Sequence, residues 1–190
     1  MEPLPAEQQW IEAFKAGDAS AFAKIMEHYE PYVLGLIWRM TGNRSAAEDL
    51  CQETFLKVLK GLGAFRRGSG LKTWIFRVAH NTAVDHLRSQ GPRTQPLDDL
   101  ESEPGFAADP SPTPLAQVQD GQLRRCIEAA MDLLPPRQRE VLHMLYWDGL
   151  TVAQIATACS MPTGSVKTML FRGRGALRSR VAHLLSEGRS

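Results

Sequence analysis

Between Pro92 and Pro114 lie six of the chain's twelve prolines, in GPRTQPLDDLESEPGFAADPSPTP. Each fixes its own φ and removes an amide donor, and no apolar periodicity runs through the segment, so it reads as linker rather than helix or strand. A chain of 190 residues interrupted here builds two small domains. The expected boundaries are a first domain over 1–90, a flexible, acidic, Pro-rich linker over 91–118, and a second domain over 119–190. A hydrophobic content of 43% is enough for a core.

Charge divides the chain at the same places. The net +1 hides 11 Lys/Arg against 10 Asp/Glu in residues 1–90, 1 against 6 in 91–120, and 10 against 5 in 121–190. An acidic middle and a basic end allow a nucleic-acid partner that the total alone would argue against. Cys51, Cys126 and Cys159 are odd in number and contain no CxxC pair, which excludes a disulfide framework or zinc knuckle and fits a reducing cytoplasm. MEPLPAEQQW has no basic stretch followed by an apolar run, and no segment approaches the roughly 20 apolar residues of a membrane span. Neither export nor membrane insertion is expected.

Both domains read as helical, and the fold class is all-α. Gly17 and Asp18 separate a helix containing Trp10, Ile11 and Phe14 from a second that begins near Ala19. Pro31 is expected to open a third, carrying Val33, Leu36, Ile37 and Met40, because its missing N–H costs nothing at a helix start. Ser45-Ala-Ala-Glu48 matches a capping box and predicts a helix to about Lys60. After the loop GLGAFRRGSG, the spacing of Trp74, Ile75, Val78, Ala79 and Leu87 predicts a helix over about 71–88. Beyond the linker, helices are expected over about 115–133 and 137–146, separated by Pro135-Pro136. Thr151-Val-Ala-Gln154 is a second capping box, opening a short helix through Ile155 and Ala158. Pro162 breaks it, and Thr163 or Ser165 caps a last helix to about Leu185.

That last pair is a helix-turn-helix, whose second helix enters the DNA major groove N-terminal end first. From Thr163 to Ser186 it carries Lys167, Arg172, Arg174, Arg178 and Arg180 and no acid. Lys167, Thr168 and Arg172 are placed to reach base edges and the later arginines to hold phosphate, while Val166, Leu170 and Leu177 pack inward.

Three stretches, AEDLCQETFLKVL, FRRGSGLKTWIFRVAHNTAVDHLR and LPPRQREVLHMLYWDGLTVAQIATACSMPTGSVKTMLFRGRGALRSRV, resemble in that order regions 2 and 4 of the extracytoplasmic-function (ECF, group IV) sigma factors of the sigma-70 family. The resemblance covers nearly the whole chain apart from the linker and the ends. It implies a promoter-specificity subunit of bacterial RNA polymerase, a region 2 helical bundle tethered to a region 4 helix-turn-helix, with no catalysis, cofactor or metal of its own. Further regions or an accessory domain are not expected.

The resemblance also implies site residues. On the helix from Ala47 to Leu59, Asp49, Gln52, Glu53 and Lys57 form a polar stripe, with Phe55 and Val58 as apolar contacts, for the clamp helices of the polymerase's largest subunit. The loop and helix after it would capture melted minus-ten bases through Phe65, Arg66, Arg67, Lys72, Arg77, Asn81 and Arg88. Single strands need charge together with stacking or hydrogen-bonding side chains. Trp74 stays open between the core, which its spacing with Val78 suits, and the DNA. Ser165, Lys167, Thr168, Phe171, Arg172, Arg174 and Arg178 are the implied contacts to the minus-thirty-five duplex. Met169 stands where the family often has a basic residue, and Gly173 and Gly175 are expected to loosen the helix. The family further implies the polymerase flap as a partner, an anti-sigma factor that silences the protein until a stress signal arrives, and a linker threading near the active centre.

Other classes fit less well. His28, His80, His86, His143 and His183 form no HExxH, and His80 and His86, six apart, point about 120° from one another on a helix. Glu48, Asp49 and Glu53 lack a second carboxylate-rich helix to complete a metal site, and GSG is too short for a phosphate loop. A free-standing regulator would use the same helix-turn-helix but bind duplex tightly without polymerase. Cys51 could sense oxidants or be an inert buried thiol.

Overall fold

The protein was analysed as a computed structural model that describes residues 5–66, 70–90 and 121–187. These residues form eight α-helices: α1 (Pro5–Lys15), α2 (Ser20–Thr41), α3 (Arg44–Leu62), α4 (Leu71–Ser89), α5 (Gly121–Asp132), α6 (Pro136–Tyr146), α7 (Val152–Ala158) and α8 (Thr163–Glu187). No strand occurs among the described residues. The chain splits into two compact units, the first containing α1–α4 and the second α5, α6, α8 and most of α7. The linker, and the expected helical stretch from Leu115 to 120, lie outside the described residues.

In the first unit α2, α3 and α4 all pack on one another and α1 lies along α2. The turn expected at Gly17 and Asp18 is present: the Asp18 carboxylate accepts the Ser20 amide at 2.8 Å and hydroxyl at 2.6 Å. The expected start of a new helix at Pro31 is not. Pro31 lies inside a continuous α2. Its buried residues, Ala21, Ile25, Tyr29, Val33, Leu36 and Ile37, keep helical spacing straight through it, so burial of one apolar stripe outweighs the lost hydrogen bond.

The capping box at Ser45 is likewise replaced. Gly42, left-handed at φ +66°, closes α2, and Asn43 caps α3 by accepting the Ala46 amide at 3.1 Å. The helix therefore begins before Ser45, and Glu48 pairs with Arg44 at 3.0 Å instead of reaching back. The Tyr29 hydroxyl donates to the buried Glu7 carboxylate, clasping α1 to the core. Burial first, and that carboxylate second, push the phenol well above the usual tyrosine range.

In the second unit α8 packs on α5 and α6. The Thr151 capping box forms as expected, with the Thr151 amide donating to Gln154 Oε1 at 2.8 Å and the Gln154 amide to Thr151 Oγ1 at 3.3 Å. α8 departs from expectation at its start: it begins at Thr163, and the Pro162 carbonyl accepts the Val166 amide at 3.2 Å, so Ser165 lies within the helix. The turn before it holds Ser160 left-handed at φ 54°. Gly173 does not loosen α8. A Cβ there would come within 2.9 Å of Leu142 Cδ1, so glycine is what lets α6 approach.

Gly61 plays the same part between α3 and α4, where a Cβ would lie 2.9 Å from Trp74 Cζ2. The indole cannot retreat freely because Phe65 stacks on it at 5.0 Å. Gly61→Ala gains about 1 kcal/mol of helix propensity and loses about 2 by overpacking, so urea unfolding is expected to show a net loss of about 1 kcal/mol.

Candidate nucleic-acid interface

α3 divides cleanly into two faces. Ala47, Leu50, Cys51, Thr54, Phe55, Val58 and Leu62 are buried. Asp49, Gln52, Glu53 and Lys57 are exposed, as the polar stripe requires. Phe55 and Val58 are not available to a partner: they are 4% and 0% exposed, and the Phe55 ring meets Phe22 edge-on at 6.5 Å. The apolar surface of this face comes instead from Leu56, 57% exposed, and Leu59, 39%. Sequence reasoning missed both, although the phase could have found them, since Leu56 stands four residues from Gln52 and from Lys60. Lys57 is already engaged, with Glu53 at 2.7 Å and the Thr82 hydroxyl of α4 at 3.0 Å.

The loop after α3 and the start of α4 place the next group. Arg66, Asn81 and Arg88 are exposed and Arg77 is partly so; Arg77, Asn81 and Arg88 share one side of α4 by spacing. Lys72 Nζ sits 5.4 Å above the Tyr32 ring, a cation–π contact that sequence alone did not suggest. Phe65 is a correction: it is buried, and its ring packs on Trp74 rather than facing solvent. Trp74 is half-buried, packed on Phe65 and close to Gly61. Arg67 lies outside the described residues.

On α8, Lys167, Phe171, Arg172 and Arg178 are exposed, Phe171 at 57%; Lys167, Phe171 and Arg178 share one side by spacing, with Arg172 about 100° round from Phe171. Val166 and Leu170 are buried as expected, and Leu177 is half-buried. Thr168 corrects the sequence expectation, being 8% exposed with its hydroxyl donating to the Gly164 carbonyl at 3.1 Å. Arg174 is also turned inward, its guanidinium 5.9 Å over the Tyr146 ring, where burial lowers its pKa. Ser165 is half-buried. Of the seven residues expected at a duplex, four are thus exposed, on a stretch from Thr163 to Ser186 that carries no acid.

Comparison with known proteins gives the family. Residues 25–93 match Sigma-70 region 2 and residues 124–177 match Sigma-70 region 4. The chain is 34% identical over 187 residues to the RNA polymerase sigma-H factor of Pseudomonas aeruginosa, covering 95% of this chain and 96% of that protein. It is 31% identical over 180 residues to the ECF RNA polymerase sigma factor SigW of Bacillus subtilis, covering 92% and 96%. The chain belongs to the ECF sigma factors of the sigma-70 family.

Solved structures share the fold. The Bartonella quintana RpoE, solved in complex with the anti-sigma factor NepR, aligns at a TM-score of 0.61 and 24% identity over 85% of this chain and 96% of that one. CnrH, solved with the cytosolic domain of CnrY, aligns at 0.61 and 16% over 94% and 98%. In this sigma factor no helix among the described residues is long and apolar enough to cross a membrane.

Cys51 lies on the buried side of α3, where burial first and Glu30 second push its thiol up to about 11. It stays protonated at neutral pH and has no nucleophilic thiolate to offer an oxidant. The division of α3 is testable by stability alone. Phe55→Ala is expected to cost about 3–5 kcal/mol in chemical unfolding, and Leu56→Ala less than about 0.5.

Proposed function

We propose that this sigma factor, in the cytoplasm, brings core RNA polymerase to promoters by dividing three tasks among the faces described above. The observation that carries it is the solvent-exposed α3 stripe of Asp49, Gln52, Glu53, Leu56 and Leu59 on a core of three mutually packed helices. A polar stripe flanking exposed leucines suits a partner surface, because it keeps apolar area in water that no other described residue covers. Its occupant is the clamp of the polymerase's largest subunit.

Arg66, Arg77, Asn81 and Arg88, with Lys72, would hold the melted minus-ten strand. Cations neutralise its phosphates and Asn81 hydrogen-bonds an unstacked base edge, so binding offsets the few kcal/mol of unstacking. The protein needs no nucleotide hydrolysis and no catalytic group for this; polymerase does the chemistry. Lys167 and Arg172 would read the minus-thirty-five major groove, Phe171 would contact an apolar base edge such as a thymine methyl, and Arg178 would grip phosphate. Neither surface specifies a promoter alone, so polymerase is required to hold both at the right spacing. An anti-sigma factor of the kind bound to RpoE would silence the protein by covering these same faces.

Run-off transcription from genomic fragments, with purified core polymerase and with or without this protein, tests the reading. New start sites sharing two spaced upstream elements are expected. Absence of new starts, together with tight duplex binding by the protein alone, would replace it with a free-standing regulator. Leu56→Asp is expected to weaken association with core polymerase roughly tenfold while leaving the melting temperature unchanged, measured by fluorescence anisotropy and thermal unfolding.

A further inference from the structure

The match to sigma region 2 begins at residue 25, so α1, Pro5–Lys15, stands outside it. The helix is nevertheless tied down along its whole length. Glu7 accepts the Tyr29 hydroxyl near one end. Trp10 lies against His28 at 5.5 Å, and Phe14 against Phe22 at 6.2 Å. At the other end, Lys15 Nζ donates to the backbone carbonyl of Phe65 at 2.7 Å, across fifty positions of sequence. That last bond reaches the stem of the loop between α3 and α4.

Among the described residues, the backbone of the stem is otherwise held by short local bonds. α3 ends in two tight turns, with the Ala64 amide donating to Gly61 and the Phe65 amide to Leu62, each at 3.1 Å. The Phe65 ring is fixed by Trp74, but a ring contact leaves the peptide plane free to rotate about the flanking φ and ψ. A charged donor on the carbonyl removes that freedom, and the next residue is Arg66, exposed and basic. Lys15 is itself an exposed residue, so the bond adds little to global stability. What it determines is the direction in which the chain leaves Phe65.

We infer that α1 is a brace for minus-ten recognition and that Lys15 is its positioning residue, holding the Phe65 carbonyl so that Arg66 points at the melted strand. The inference rests on the proposal that the loop after α3 captures minus-ten bases. Misplacing a capturing group by about an ångström weakens every contact it makes in the open complex, whereas polymerase docking on α3 and duplex reading by α8 use other residues.

The test uses the full chain with core polymerase on the strongest promoter found by run-off mapping, plus variants of that promoter substituted at each minus-ten base. Open complexes are scored by permanganate reactivity of unpaired thymines. Lys15→Met keeps the length of the side chain and removes its donors. It is expected to lower open-complex formation about tenfold and to flatten the ranking of minus-ten variants, with core-polymerase affinity and melting temperature unchanged. Lys15→Arg, which restores a charged donor, is expected to recover the ranking. An unaltered ranking in Lys15→Met, while Arg66→Ala flattens it, would overturn the brace and leave the loop's role intact. An unaltered ranking in Arg66→Ala as well would overturn the role of the loop, and the brace with it.

Discussion

The first domain depends on one continuous apolar stripe along α2. Six buried residues from Ala21 to Ile37 hold α1, α3 and α4 around it, and they do so across a proline that removes one hydrogen bond from the helix. Had the chain broken at Pro31, Val33, Leu36 and Ile37 would leave the register of Ile25 and Tyr29, and the single stripe that meets α1, α3 and α4 would be divided. Packing wins because it acts over several large side chains, each contributing on the order of 1.5–3 kcal/mol, against about 3 for the proline.

With that core in place, the functional faces are what remains after burial. α3 commits Phe55, Val58 and Leu62 inward and is left with Leu56 and Leu59 outward among polar side chains. α8 commits Val166 and Leu170 inward, turns Arg174 over Tyr146, and ties Thr168 back to Gly164. The cations left in water are those a phosphate backbone can meet. Two glycines make the close approaches that hold these helices in place: Gly61 beneath Trp74, and Gly173 beneath Leu142. Both helices run on through their glycine, which is used here for what it lacks, a Cβ, rather than for the flexibility it lends.

Much of this was legible in the residues. The Pro-dense segment separates the two sets of helices, the Thr151–Gln154 capping box forms with both its hydrogen bonds, and α4 spans Leu71–Ser89 against an expected 71–88. Failures cluster where a local signal competed with tertiary packing. Pro31 is a good first residue of a helix, and Ser45-Ala-Ala-Glu48 is a good capping box, yet each yielded to a neighbour that served the core better. Asn43 could cap because Gly42 had already ended α2 in a left-handed turn.

The sequence by itself determined the class of fold, the division into two domains, and the family, because periodicity, prolines and motif order are properties of residue types along a line. Which side chains of a motif face a partner was decided only by the tertiary structure. Phe55 and Leu56, or Lys167 and Thr168, are neighbours in the same motif with opposite fates, since adjacent residues on a helix point about 100° apart and only the position of the core says which direction is inside. The bond from Lys15 to the Phe65 carbonyl belongs to the same category. No local pattern joins residues fifty positions apart; the packing of α1 along α2 does.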